Sequence, residues 1–134
     1  MKTKPKNRNL TVLVVDDMSF IRKVVRKSLA DLGIGRIVEA SDAAEAVKRL
    51  REEKFDLIIS DWNMPTMSGY DLLDFVRHNE RLKGIPFLML TANNDKDSVI
   101  TAAKQGVSDF LIKPFSAEDL EAKITKLIPP PAPC

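Results

Sequence analysis

Cysteine is nearly absent from this 134-residue chain: the only one, Cys134, is the last residue, so no internal disulfide can form and a reducing compartment fits. Histidine also occurs once, which leaves no His/Cys cluster for zinc. No apolar run approaches the roughly 20 residues that a membrane helix needs, and Leu10 to Val15 is followed by Asp16-Asp17 rather than by a small-residue cleavage site. Neither membrane insertion nor a signal peptide is expected, and the expected location is the cytosol. A strong excess of one charge is missing as well: the net charge is +2, with 21 basic and 19 acidic side chains. Lys2, Lys4, Lys6 and Arg8 precede Leu10 without an acid or an aromatic among them, so residues 1–9 read as a solvated basic tail with no nucleic-acid role. Of the eight prolines, four fall at 129, 130, 131 and 133, so residues 129–134 read as a linker or a truncated end.

What is present is a chain that is 44% hydrophobic and 30% charged, long enough for one domain that buries roughly two-thirds of its unfolded surface. Its organising stretch is Phe55 to Pro65, FDLIISDWNMP. The apolar run is too short for a lone helix, holds adjacent isoleucines and stops at Asn63 and Pro65, which predicts a strand buried on both faces that delivers Asp61 to a loop. Leu10 to Val15 repeats the pattern, a β-branched run ending on Asp16-Asp17.

Helical periodicity follows from Ser19, with Ile21, Val24, Val25, Ser28, Leu29 and Leu32 on one face, Arg22, Lys23, Arg26 and Lys27 on the wet one, and Gly33 as the cap. Arg36 to Ala40 predicts a second strand, and Asp42 with Glu45 a capping box for a helix built on Ala43, Ala46, Val47 and Leu50. Gly69 to His78 predicts a third helix, with Leu72, Leu73, Phe75 and Val76 as its apolar candidates. Ile85 to Leu90 predicts a fourth strand that ends on Thr91 and tolerates Pro86 at its start. Lys96 to Gln105 predicts a fourth helix packed through Val99, Ile100 and Ala103, Asp109 to Ile112 a fifth strand leading to Lys113-Pro114, and Ser116 with Asp119 the start of a last helix that buries Leu120, Ile124, Leu127 and Ile128.

Strands and helices that alternate in this way imply a doubly wound α/β domain over residues 10–128, a five-stranded parallel sheet covered on both faces. The order 2-1-3-4-5 fits better than a six-stranded dinucleotide fold, and its ligand crevice lies between strands 1 and 3. Those strands end on Asp16-Asp17 and Asp61, whose unshielded repulsion at about 4 Å would cost roughly 1 to 4 kcal/mol per pair. A cation is therefore expected, and a few hard oxygens with room for water suit Mg²⁺ better than a Ca²⁺ cage. Thr91 adds a hydroxyl donor and Lys113 a fixed positive charge. The set meets the needs of phosphoryl transfer, with Asp61 the best nucleophile because it stands alone on the central strand. Taken singly, Asp16-Asp17 would read as a solvated turn, Thr91 as a helix cap and Lys113 as a surface lysine; their convergence argues for function. His78 reads as a surface histidine, and Trp62 as half-buried packing placed to report on Mg²⁺ binding by fluorescence.

Asp16-Asp17, Asp61 in DWNMP, Thr91-Ala92 and Lys113-Pro114-Phe115 together resemble the receiver domains of two-component response regulators, closest to the single-domain chemotaxis regulators. The resemblance runs from about Leu10 to Ile128. It implies that Asp61 accepts a phosphoryl group from a phosphohistidine on a sensor histidine kinase. It further implies that Asp17 binds Mg²⁺ directly and Asp16 largely through water, with Asp61 and the backbone carbonyl of Asn63 also on the ion. Lys113 would pair with phosphoryl oxygens next to a cis bond to Pro114, and the Thr91 hydroxyl would move toward the new phosphate. Phe110 stands at the family's switch aromatic, where the chemotaxis regulators have tyrosine. The switch would remodel the surface of helix 4, strand 5 and helix 5, where a downstream protein binds, and Asn63 and Asn93 would tune autodephosphorylation. The chain would be a phosphoacceptor rather than an enzyme, either a monomer or a dimer formed on phosphorylation. One rival is a magnesium-dependent, haloacid-dehalogenase-like phosphatase, which needs an acid two residues after its nucleophile where this chain has Asn63. The other is a pseudo-receiver that binds partners without phosphate, against which the intact acid, threonine and lysine set argues.

Overall fold

The computed structural model describes residues 8–64, 67–92 and 96–128. The elements alternate from end to end: β1 (Arg8–Val15), α1 (Ser19–Asp31), β2 (Ile34–Ala40), α2 (Ala43–Glu52), β3 (Leu57–Asp61), α3 (Gly69–Arg77), β4 (Phe87–Ala92), α4 (Lys96–Gln105), β5 (Asp109–Lys113) and α5 (Ala117–Leu127). All pairings are parallel and the sheet order is β2-β1-β3-β4-β5, as the sequence pattern predicts. The basic residues 1–7, the proline-rich residues 129–134, Pro65 and Asn93 lie outside the described residues. None of the described helices is long and apolar enough to cross a membrane.

Strand alternation sorts the core into two layers. Val12, Val14, Leu57, Ile59, Leu88, Leu90 and Leu111 meet Val25 and Leu29 of α1 and Leu120 and Ile124 of α5. Leu13, Val15, Ile58 and Met89 meet Ala46 and Leu50 of α2, Leu72, Leu73 and Val76 of α3 and Ala102 of α4. Because every residue of β3 is buried, Leu57, Ile58 and Ile59 follow one another as an apolar run instead of alternating with polar residues. Each fully buried Leu or Ile contributes about 1.5 to 3 kcal/mol, which makes this central strand the best-anchored support a loop could have.

Several expectations shift, among them the start of β2, which lies at Ile34 instead of Arg36. β1 begins at Arg8, not Leu10, because Arg8 pairs with Ile34 and the Thr11 N–H donates to Asp56 Oδ2 at 2.8 Å. β4 runs from Phe87 to Ala92 instead of from Ile85. Pro86 has no N–H to give, although its carbonyl accepts from Ile58 at 3.0 Å. In the α2 box, Asp42 caps the Glu45 N–H at 2.7 Å, but Glu45 returns to the N–H of Ser41 rather than to that of Asp42.

The largest change is in α4, where Ala102 is buried, Val99 is half-buried, and Ile100 and Ala103 face solvent. The inward stripe is Ser98, Val99, Ala102 and Gln105, the last donating from Nε2 to Asp74 Oδ1 on α3. Two polar side chains on the packed face rotate the helix away from the orientation that hydrophobicity alone predicts. Elsewhere Gly33 follows α1 with φ 81°, the left-handed cap expected of it.

Candidate functional site

The strand order reverses between β1 and β3, so their C-terminal ends flank one crevice. Asp16 is wholly buried, Asp17 is exposed and Asp61 is 6% exposed. One carboxylate oxygen from each lies within 4.8 Å of the others. The sequence-predicted trio is thus assembled on one spot.

Asp16 is held at every polar atom. Its N–H donates to the Ala40 carbonyl at 3.1 Å, and Oδ1 accepts from the Met18 N–H at 2.9 Å. Oδ2 accepts from Lys113 Nζ at 3.1 Å, and its own carbonyl accepts from Arg22 Nη1 at 2.6 Å. Lys113, the last residue of β5, also lies 3.2 Å from Asp61 Oδ1 and so bridges two of the three carboxylates. The Lys113-Pro114 bond is cis, as the resemblance implies. Asn63 is exposed, with its N–H 3.4 Å from Asp61 Oδ1.

The electrostatics follow from these contacts. Burial, then the neighbouring Asp16 charge, push the Asp61 carboxyl above the usual carboxylate range, and the Lys113 ammonium and the Asn63 N–H only partly oppose them. Burial by itself would lower Lys113, but the Asp61 charge and the bond to Asp16 outweigh it and hold the ammonium above its ordinary value. Among the described residues Lys113 neutralises only two of the three clustered acids at ion-pair distance, an arrangement poised to take up more positive charge.

Thr91 sits on β4 opposite Ile112, fully buried, and its hydroxyl has no hydrogen-bond partner among the described residues. An orphaned buried hydroxyl costs about 1 to 3 kcal/mol, an expense that a ligand oxygen arriving nearby would relieve. Phe110 is half-buried on β5 and packs into the core layer on the α2–α4 side, with Lys123 Nζ 5.8 Å from its ring centroid. Trp62, expected half-buried, is 5% exposed and meets Tyr70 edge-on at 5.8 Å between centroids. His78 is a surface residue that pairs with Asp74 at 3.2 Å.

Two residues of the site do not stand out in the sequence. Arg22, grouped there with the wet face of the first helix, instead grips the acidic turn. Gly69 opens α3 so close to β3 that an added Cβ would fall 2.4 Å from the Asp61 carbonyl oxygen and 2.7 Å from Trp62 Cα. The Gly69 N–H also donates to the Trp62 carbonyl at 2.9 Å. Backbone atoms cannot rotate away as a side chain would, so Gly69→Ala should cost about 2 kcal/mol, in the range of overpacked sites. Thermal unfolding should show the loss, and Trp62 emission should shift to the red as the Asp61 loop is pushed off its support.

Beside the crevice, an apolar pocket of about 460 Å³ lies between α1 and the β5–α5 connection, lined by Phe20, Ile21, Val24, Ala92, Lys113, Pro114 and Phe115. Phe20 is 67% exposed at its rim.

The response regulator receiver domain family matches residues 12–125. Chemotaxis protein CheY-3 of Vibrio cholerae serotype O1 is 42% identical over 121 residues, covering 90% of this chain and 93% of its own. The solved structure of chemotaxis response regulator CheY4 of Vibrio cholerae superposes with a TM-score of 0.83 at 34% identity, covering 90% of this chain and 100% of that one. The receiver domain of a sensor histidine kinase of Pseudomonas aeruginosa, solved with a magnesium ion coordinated in its active-site cleft, superposes with a TM-score of 0.80 at 26% identity, covering 90% and 98%.

Proposed function

The chain belongs to the response regulator receiver family, whose members signal through phosphorylation and work with histidine kinases and downstream targets, and on that premise we propose that Asp61 is its phosphoacceptor. The observation that carries the reading is the bridge of Lys113 between Asp61 and Asp16 inside a trio of carboxylates. A carboxylate oxygen of Asp61 attacks the phosphorus of a phosphohistidine. The P–N bond breaks, its electron pair returns to the ring nitrogen, and an acyl phosphate forms on Asp61. Lys113 pairs with the transferred oxygens, and the Thr91 hydroxyl, without a partner among the described residues, donates to one of them.

The donor set fits Mg²⁺: a few hard oxygens, strongly negative in sum, with Asp16 already committed to Lys113 and Met18 while Asp17 stands open to solvent. Asp17, Asp61 and the Asn63 carbonyl would hold it directly, and Asp16 largely through water. When bound, the ion supplies positive charge that offsets the crowded carboxylates and the phosphoryl oxygens. The magnesium in the cleft of the Pseudomonas receiver domain supports the same choice.

Phe110 couples the site to a partner surface on α4, β5 and α5, where Ile100 and Ile112 are exposed and Asp109 pairs with Lys123 at 3.0 Å and with Lys126 at 3.4 Å. The apolar pocket at Phe20 gives the phosphohistidine-bearing donor a surface next to Asp61. The chain acts in the cytosol, as one domain that begins with β1 at Arg8, two residues before the expected start at Leu10, and ends at Ile128.

The test uses acetyl phosphate with Mg²⁺. One phosphoryl group per chain, labile to hydroxide and not acquired when chelator is present from the start, is the expected outcome by intact mass. No label at saturating Mg²⁺, or multiple turnover of a phosphate ester, would defeat the reading, the second in favour of a phosphatase.

A further inference from the structure

Arg22 lies on the first turns of α1 and reaches two other elements at once. Its Nη1 donates to the Asp16 carbonyl at 2.6 Å, while its Nε donates to Glu39 Oε1 on β2 at 3.1 Å. Arg26, one helical turn on, pairs with the same Glu39 at 3.2 Å. The guanidinium is therefore held from behind by β2 and pointed at one peptide group, and only 18% of the Arg22 side chain is exposed.

That peptide joins the two acids of the turn. A peptide unit is planar, so fixing its carbonyl fixes its rotation and with it the direction in which Asp17 leaves the backbone. Asp16 is already immobile through Ala40, Met18 and Lys113. The freedom that remains belongs to the Asp16-Asp17 peptide and to Asp17, which is exposed and repelled by two neighbouring carboxylates. Left unclamped, Asp17 would relieve that repulsion by swinging into solvent.

We propose that Arg22 is a positioning residue for the divalent-cation site: oriented by Glu39, it grips the Asp16 carbonyl and so keeps Asp17 over the crevice, raising the affinity for Mg²⁺. The proposal rests on the reading of the carboxylate trio as a Mg²⁺ site. It runs against simple charge counting, because a guanidinium near a dication repels it. If Arg22 acted through its charge, its removal would tighten binding; if it acts by position, its removal loosens binding.

The measurement is the Mg²⁺ dissociation constant by calorimetry and Trp62 fluorescence, with no phosphodonor present, alongside thermal unfolding. Arg22→Ala should raise the constant about tenfold, the effect of losing one hydrogen bond from a charged donor. Arg22→Lys, which keeps one donor for the carbonyl but not the two-sided fork, should recover part of that loss. A constant that is unchanged or lower in Arg22→Ala, whatever happens to its melting temperature, would overturn the proposal. Failure of the native chain to bind Mg²⁺ would remove the metal-site reading and this proposal together. Absence of acetyl phosphate labelling in a native chain that does bind Mg²⁺ would count against the phosphoacceptor reading alone, since the Arg22 comparison needs no phosphodonor.

Discussion

Asp61→Asn takes up no phosphoryl group from acetyl phosphate at any Mg²⁺ concentration, yet in chelator at alkaline pH it melts above the native chain. The first half follows from chemistry: the amide has the carboxylate's shape, but its oxygen is not a nucleophile able to form an acyl phosphate. The second follows from linkage. Burial, then Asp16, raise the Asp61 carboxyl above its ordinary value, so between the unfolded and folded values the native state binds more protons than the unfolded one, and stability falls as pH rises through that window. The cost is absent below the ordinary carboxylate value of about 4 and complete above the folded value. Asparagine never ionises and never incurs it, while Lys113 retains Asp16 as a partner at 3.1 Å. The gap in melting temperature between variant and native chain should therefore open with rising pH and close in acid. Intact mass after acetyl phosphate and melting curves across pH in chelator check both halves. Residual labelling would reassign the phosphoacceptor, and a variant that melts below the native chain at every pH would mean that Lys113 stabilises Asp61 more than burial opposes it.

The same physics decides which parts of this site could be read from the residues alone. β1 and β3 are legible because a strand segment buried on both faces is dominated by apolar residues, so a carboxylate at its end is conspicuous: Asp16-Asp17 end the run of Val12 to Val15, and Asp61 follows Leu57 to Ile59 with only Ser60 between. Topology then brings them together without any need for side-chain detail. α4 is not legible, because its packed stripe includes Ser98 and Gln105, and a polar residue that faces a neighbouring helix looks the same in sequence as one that faces water. Arg22 is hidden for a related reason. It shares the α1 surface with Lys23, Arg26 and Lys27, and only the placement of α1 against β2, where Glu39 waits, separates a clamp from a solvated charge. Gly69 reads as an ordinary residue at a helix start, although the contact that requires it is with backbone eight residues earlier.

Lys113→Met should be the variant most damaging to fold and activity together. The ammonium is the only cation within ion-pair distance of Asp16 and Asp61 among the described residues, and its removal leaves one carboxylate with no exposure at all and another at 6%. Breaking a buried pair by deleting one partner typically costs about 3 kcal/mol or more. The sign of the pH effect follows from the raised values on both sides of the pair. Lys113 contributes stability in full below its unfolded value of about 10.4, and loses it only as pH rises through its still higher folded value. In the methionine variant the Asp61 carboxylate, already raised by burial and by the Asp16 charge, loses the ammonium that opposed the shift, so stability should recover as pH falls and it takes up a proton. Saturating Mg²⁺ should restore much of the melting temperature at neutral pH, since a dication can neutralise the same charges. It should not restore phosphoryl transfer, which needs a second positive charge on the moving oxygens and should be about a hundredfold slower without it. Melting with and without Mg²⁺, set beside labelling by acetyl phosphate, separates the two roles: recovery of both would make Lys113 a charge balancer alone, and recovery of neither would make its loss a failure to fold.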